Sequence, residues 1–250
     1  MGVKSSNARE VMLLSNWVKT ILFLIGSAVL THWIPSSFFR NLDTMVHEFG
    51  HAVATLALSG KVMYIELYRD HSGVTYSSMT KSWAIIPVSL AGYMTASLFA
   101  WFLFSAYARG KQKLGLQVMI ALSALSLVLF VRNSFGVSFL LGFILMTVLA
   151  LALAPKWLRD FYYLLLAFLC LEESVFGPGS LIVYALQNSR SAGDASNLAN
   201  HTGIPAIVWA IGFTLFALWC AKQAVGAFLG RSKRARSASS RPTAMGSYRD

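Results

Sequence analysis

Long apolar segments are the feature that most restricts the fold of this 250-residue chain. A helix needs about 17–25 apolar residues to cross the hydrocarbon core of a bilayer. Six segments meet that length, at residues 17–34, 83–108, 115–131, 135–154, 161–186 and 204–229. Backbone groups inside a bilayer must be hydrogen-bonded within the protein, which favours helices. The sequence therefore predicts an all-α polytopic membrane protein with about six transmembrane helices.

Composition supports this class. Charged residues make up 12% of the chain, about half of the roughly 25% that is typical of soluble domains. The net charge of +11 is typical of nucleic-acid binders, but Lys and Arg also orient membrane proteins, and we predict no nucleic-acid partner. Cys170 and Cys220 lie in apolar stretches without CxxC spacing, so neither a disulfide framework nor a cysteine metal site is indicated.

Three regions follow from the same pattern. Residues 1–16 form a short polar N-terminus, and residues 17–229 form one membrane-embedded domain with short loops. No clear cleavage site follows the first apolar segment, so we interpret it as a retained span. Residues 230–250 are basic and rich in serine, a composition that predicts a disordered tail.

A five-residue motif, HEFGH at residues 47–51, indicates the chemistry. On a helix, His47 and His51 lie one turn apart on the same face, so both imidazoles can reach one tetrahedral Zn²⁺. Glu48 between them can act on a water molecule at the metal. The alternative is a helix whose histidines are merely packed or hydrogen-bonded. Roughly a few per thousand such chains would contain the motif by chance, so its rarity favours a metal site.

The residues around the motif predict a short helix followed by a β-hairpin. We expect the helix over 43–58, with Asp43 or Thr44 as its N-cap and Ser59-Gly60 at its end. Its 14 residues from Met45 onward would measure about 21 Å, too short to span a bilayer.

Residues 61–77 alternate between apolar and polar side chains, as strands do, and 69–73 has the composition of a turn. An unpaired strand edge here could bind an extended substrate peptide. Alternatively, the hairpin only packs over the membrane domain. The residues predicted to bind substrate are Tyr64, Ile65, Glu66 and Leu67.

The distribution of basic residues predicts the orientation. If the HEFGH helix does not cross, 15 of the 21 Lys and Arg residues lie on one side with both termini, and 6 lie on the other. By the positive-inside rule the termini are then cytoplasmic, in the plasma membrane if the protein is bacterial. This arrangement places residues 35–82 and 172–203 on the same face, where they can form one site.

A catalytic zinc site takes three protein ligands and keeps a position open for water. His47 and His51 supply two ligands. The remaining candidates on that face are Asp194, Glu172, Glu173, His71 and His201. Sequence spacing alone does not choose among them.

The chain resembles the M50 peptidases, and more narrowly the M50B-like group related to the site-2 intramembrane proteases. The resemblance rests on HEFGHAVATLALSGKVMYIELYRDHSGVTYS at 47–77, AGY at 91–93, RNSFG at 132–136 and GDASNLANHTGIPAIVW at 193–209. It implies an integral-membrane zinc metalloprotease that binds one Zn²⁺ through His47, His51 and Asp194, with Glu48 as the catalytic acid/base. Around Asp194 the chain lacks the Asp-Gly and Asn-x-x-Pro sequences of the better-studied site-2 proteases.

We therefore predict a protease that hydrolyses membrane protein or peptide substrates within the lipid bilayer. One alternative is a catalytically inactive relative that binds membrane partners, because a fold does not determine function. Another is a metal transporter that uses the histidines as transit ligands. A transporter would favour polar residues or broken helices distributed across paired repeats, whereas the predicted ligands here cluster near one face.

Overall fold

The computed structural model of the protein describes residues 37–239. Five helices in this part are long and apolar enough to cross a membrane, and they correspond to the last five predicted spans. They cover Ser82–Ala108, Gln112–Leu129, Ser134–Leu153, Lys156–Gln187 and Ala206–Gly230. The predicted N-terminus 1–16 and first span 17–34 lie outside the described residues, as does 240–250. The predicted fold class, mostly helical with a small hairpin, is confirmed for the rest.

The elements follow one another along the chain with short connections. A 3₁₀ turn at Ser82–Ala84 precedes the second helix. The order is α1 (Ser37–Ala57), β1 (Lys61–Leu67), β2 (Gly73–Ser78), α2 (Ile85–Ala108), α3 (Gln112–Leu129), α4 (Ser134–Leu153), α5 (Lys156–Gln187), α6 (Gly193–Thr202) and α7 (Ala206–Ser239). Helix α2 lies at the centre and packs against α1, α5, α6 and α7.

Helix α1 begins before residue 43, the predicted start, since it already includes Ser37, the first residue that the structure describes. In the part of the helix before the predicted start, Phe38 packs edge-to-face against Phe139 of α4. Asp43 and Thr44 are therefore inside the helix, and their prediction as N-cap residues was wrong. The 21 residues of α1 measure about 31 Å, yet α1 is not among the five candidate spans.

The end of α1 agrees with the predicted stop signal. Ser59 has a left-handed backbone, with φ of 59°. The backbone N–H of Gly60 donates to the Thr55 carbonyl over 2.8 Å. This turn satisfies a carbonyl that the helix leaves without a partner at its end and directs the chain into β1.

Helix α5 continues through Pro178. The residues Gly177-Pro178-Gly179 would ordinarily interrupt a helix. A proline inside a helix removes one backbone hydrogen bond, but membrane helices tolerate it when neighbouring elements compensate. Pro178 is buried, and α5 packs along α2 and α7. Its two halves therefore form one helix that brings Glu173 next to α1.

The last helix is also longer than predicted. Helix α7 begins at Ala206, directly after Pro205, and continues to Ser239, ten residues beyond the predicted end at 229. Once a helix has formed, each added residue costs little, and Arg, Lys and Ala, which are frequent in this stretch, are good helix formers.

The hairpin is antiparallel, with Ile65 opposite Thr75 and Leu67 opposite Gly73. The outer edge of β1 is already paired with the connector between α3 and α4. Ile65 N–H donates to the Phe130 carbonyl over 2.9 Å, and the Asn133 side chain bonds both backbone groups of Leu67. The sheet in the described part of the chain has only these two strands. The hairpin therefore has β2 as its open edge.

Candidate metal centre

The HEFGH motif lies on α1, and both of its histidines point to the same place. The Nε2 atoms of His47 and His51 are 3.0 Å apart, and the rings meet edge-to-face with centroids 4.6 Å apart. The spacing of four residues produces this approach, because i and i+4 side chains lie on one face of a helix.

Asp194 reaches the two histidines from the first turn of α6. Its Oδ2 is 3.2 Å from Nε2 of His47 and 3.2 Å from Nε2 of His51. The buried side chains of Ala195 and Leu198 pack α6 against the helices around it. The structure thus brings together the three residues that the resemblance implied as ligands.

These three donor atoms fit a zinc ion. They form a triangle with sides of 3.0, 3.2 and 3.2 Å. Bonds of about 2.0–2.1 Å in a tetrahedral arrangement place ligand atoms about 3.3 Å apart, and two His nitrogens with one carboxylate oxygen are a common set for catalytic zinc. A zinc ion held by these three atoms would keep one further position for water or substrate.

The electrostatics of the centre also favour a cation. Burial lowers the pKa of His51, but the carboxylates of Asp194 and Glu48 more than compensate and raise the pKa to about 9. Burial raises the pKa of Asp194. The positive charge of His51 and hydrogen bonds from both histidines outweigh that effect, so the pKa lies below its ordinary value. The site therefore favours positive charge next to the Asp194 carboxylate, either as protons on the histidines or as a metal ion.

A backbone carbonyl from α2 orients one of the histidines. His51 Nδ1 lies 2.7 Å from the Val88 carbonyl oxygen. Since that oxygen can only accept, Nδ1 carries the proton and Nε2 is left available to a metal. Outer partners of this kind hold ligating histidines in one tautomer and raise their basicity.

Gly92 of α2 provides the space in which the two histidines meet. A Cβ atom at this position would lie 2.5 Å from His51 Nε2 and 2.6 Å from His47 Nε2. Real side-chain contacts are not this short, so any larger residue would occupy the centre itself. The neighbouring Tyr93 ring packs edge-to-face on His47, with centroids 4.4 Å apart.

Glu48 is held against the hairpin rather than among the three donor atoms. It is almost fully buried, with 5% of its surface exposed. Thr75 Oγ1 donates to Glu48 Oε2 over 2.6 Å. A Cβ at Gly73 would approach the same carboxylate to 2.9 Å, so β2 passes directly over Glu48.

A cavity of about 620 Å³ adjoins the centre. His47, Glu48, His51 and Asp194 all line it. Strand β2 forms part of its wall through Gly73, Val74, Thr75 and Ser77. Open space next to the donor atoms is what a bound substrate would need.

The other predicted site residues occupy different positions. Glu173 and His71 line the cavity without joining the three donor atoms, and His201 is exposed to solvent. The four residues predicted to bind substrate do not line the cavity. Ile65 and Leu67 are buried, and the edge that they share is paired with residues 130–133. The strand that lines the cavity is β2, and the outer edge of β1 is covered by the α3–α4 connector.

Comparison with known proteins agrees with this geometry. A family model described as Peptidase M50B-like matches residues 16–224, which includes both histidines of the motif and Asp194. No curated protein and no solved structure matches the chain. The family match covers well over half of the sequence and confirms the resemblance carried by the motifs. The chain belongs to the Peptidase M50B-like family.

Proposed function

We propose that this protein is an integral-membrane zinc metalloprotease that hydrolyses peptide bonds of membrane-associated substrates. The observation that carries the proposal is the triangle of donor atoms from His47, His51 and Asp194, with the Glu48 carboxylate beside it. Membership of a peptidase family and five candidate membrane helices support a protein substrate at or in the bilayer. We propose that both termini are cytoplasmic, as the basic residues indicate.

The chemistry divides between the metal and the side chains. A zinc ion held by His47, His51 and Asp194 would activate water and polarise the substrate carbonyl. Glu48 takes the proton from the attacking water and returns it to the leaving amine. The Thr75 hydroxyl, 2.6 Å from Glu48 Oε2, limits the rotation of that carboxylate. The Val88 carbonyl keeps His51 in its orientation.

Substrate binding is proposed at the open edge of β2. A helical membrane segment hides its peptide bonds in internal hydrogen bonds, so it must unwind before hydrolysis. In an antiparallel ladder, alternate residues direct their backbone groups to opposite sides. Because Ile65 bonds away from β2, its opposite residue Thr75 bonds away from β1, as do Gly73 and Ser77. These three line the cavity and can pair with an extended substrate segment.

The Ser77→Pro variant tests this mode of binding. Proline at an edge position removes one outward N–H and leaves the ladder to β1 in place. Loss of one hydrogen bond should lower kcat/KM for peptide hydrolysis by about 3- to 10-fold. Ser134→Pro is the control, because it lies at the first position of α4, where proline is tolerated. An unchanged kcat/KM in Ser77→Pro would remove the β2 edge from the mechanism.

Metal content tests the centre. We expect wild-type protein purified in detergent to hold about one zinc per chain, the stoichiometry of a single catalytic site, measured by atomic emission. Asp194→Ala should weaken zinc binding by more than the roughly 10- to 100-fold that loss of an outer partner costs. Asp160→Ala, on α5 and away from the cavity, is the matched control. Full zinc in Asp194→Ala would exclude this aspartate as a ligand.

A further inference from the structure

The cavity beside the metal centre is strongly acidic for a chain with a net charge of +11. Four carboxylates line it, from Asp43, Glu48, Glu173 and Asp194, out of ten Asp and Glu residues in the whole sequence. Among the described residues that line the cavity there is no Lys or Arg. Carboxylates gathered in a cleft with low-dielectric walls attract cations.

Three of the four carboxylates already have partners. Asp194 contacts both histidines of the motif, and Glu48 accepts a hydrogen bond from Thr75. Glu173 forms an ion pair with Arg40 across the α1–α5 contact.

Asp43 is different. Only 9% of its surface is exposed, and its Oδ1 is fully buried without a hydrogen-bond partner in residues 37–239. Leaving such an oxygen unsatisfied is costly and rare in native proteins. Asp43 also lines the cavity, so a small rotation of its carboxyl group would bring this oxygen to a donor group of a bound ligand.

The location of Asp43 indicates which part of a substrate it meets. It precedes His47 by four residues on α1, which is about 6 Å along the helix axis. An extended peptide advances about 3.3 Å per residue. Consider a peptide that is paired with β2 and has its cleaved bond at the metal centre. Its side chain about two residues from that bond would lie next to Asp43.

We propose that Asp43, with Glu173 behind it, forms a subsite for a Lys or Arg side chain of the substrate, about two residues from the cleaved bond. This inference rests on the proposed protease function. An ammonium or guanidinium group has several donors and no acceptor, so it matches a buried oxygen that lacks a donor. Burial and the nearby charge of Glu173 raise the pKa of Asp43, and a bound cation shifts that carboxyl back to its charged form.

Paired peptides test the subsite. Quenched fluorescent peptides in detergent micelles would carry either Lys or norleucine, its uncharged analogue, at each position within two residues of the cleaved bond. At the position that reaches Asp43, wild-type kcat/KM should be about 10- to 100-fold higher for the Lys peptide than for the norleucine peptide. This is the range expected for a hydrogen bond to a charged group. Asp43→Asn should remove most of this preference, whereas Asp43→Glu should keep it. Asp160→Asn, on the same helix as Glu173, should retain the wild-type preference.

A binding measurement separates this inference from the proposed function. Fluorescence anisotropy with the zinc-loaded Glu48→Gln protein should show about 10- to 100-fold tighter binding of the Lys peptide. Wild-type protein that cleaves or binds both peptides equally well would overturn the subsite and leave the protease intact. Tighter Lys binding without cleavage by wild type would overturn the protease and support the subsite. A full Lys preference in Asp43→Asn would also overturn the subsite. If that variant does not fold, the wild-type comparison still decides.

Discussion

Replacing Glu48 with glutamine should leave zinc bound and lower the rate of peptide hydrolysis by about 10²- to 10⁴-fold, the usual contribution of a general acid–base residue. Glutamine has nearly the shape of glutamate and can keep a hydrogen bond with Thr75, but it cannot accept a proton. Glu48 is also outside the triangle of donor atoms formed by His47, His51 and Asp194. The measurement is zinc content together with cleavage of a fluorescent peptide by the same preparation.

The control for this variant is Glu172→Gln. Glu172 lies next to Glu173 on α5 but does not line the cavity, so its replacement should change neither zinc content nor rate. Hydrolysis by Glu48→Gln at the wild-type rate would show that another group carries the proton, and the proposed mechanism would be wrong.

Replacing Gly92 with alanine should remove the metal although it alters no ligand. The added methyl group would lie 2.5–2.6 Å from the Nε2 atoms of His51 and His47, in the space where those nitrogens converge. Overpacking of a well-packed region costs about 1–3 kcal/mol. If the histidines turn away to relieve it, the donor triangle opens. We expect zinc content to fall below one-tenth of the wild-type value and hydrolysis to fall with it.

Gly212→Ala provides the matched control for this prediction. Gly212 also lies in a candidate membrane helix, and a Cβ atom there would meet nothing within 4 Å. Alanine in an open helical position is favourable by about 0.5–1 kcal/mol relative to glycine, so this variant should keep its zinc and its activity. Full zinc in Gly92→Ala would mean that α2 can move away from α1, and that Gly92 does not determine the approach of the histidines.

Local patterns in the sequence were sufficient for the part of the site on α1. The spacing within HEFGH predicts that His47 and His51 converge, because helical geometry fixes i and i+4 neighbours. The apolar lengths likewise predict the five described spans, since bilayer thickness sets them. A local pattern could not assign Asp194 to the same site, because more than half of the sequence separates it from His51. Only the charge distribution and the family resemblance connected the two regions.

Other features depend on contacts that no local pattern contains. Helix α1 includes residues before the predicted start, where Phe38 contacts Phe139 of α4, a residue about a hundred positions away. The outer edge of β1 is closed because Asn133 folds back onto Leu67. The sequence showed a hairpin but not which of its strands would remain open. The contacts of Thr75 with Glu48 and of Val88 with His51 were not predicted for the same reason, since they arise from packing between elements. The proposed role of Asp43 depends on such packing too.

The order of the site along the chain has a consequence for synthesis. His47 and His51 are synthesised early, whereas Asp194 follows only after α2, α3, α4 and α5 have been made. A nascent or truncated chain that stops before α6 holds two of the three donor atoms and cannot complete the proposed centre. Under the proposed function, an incomplete copy of this protein would therefore be unable to cleave the membrane proteins assembling around it.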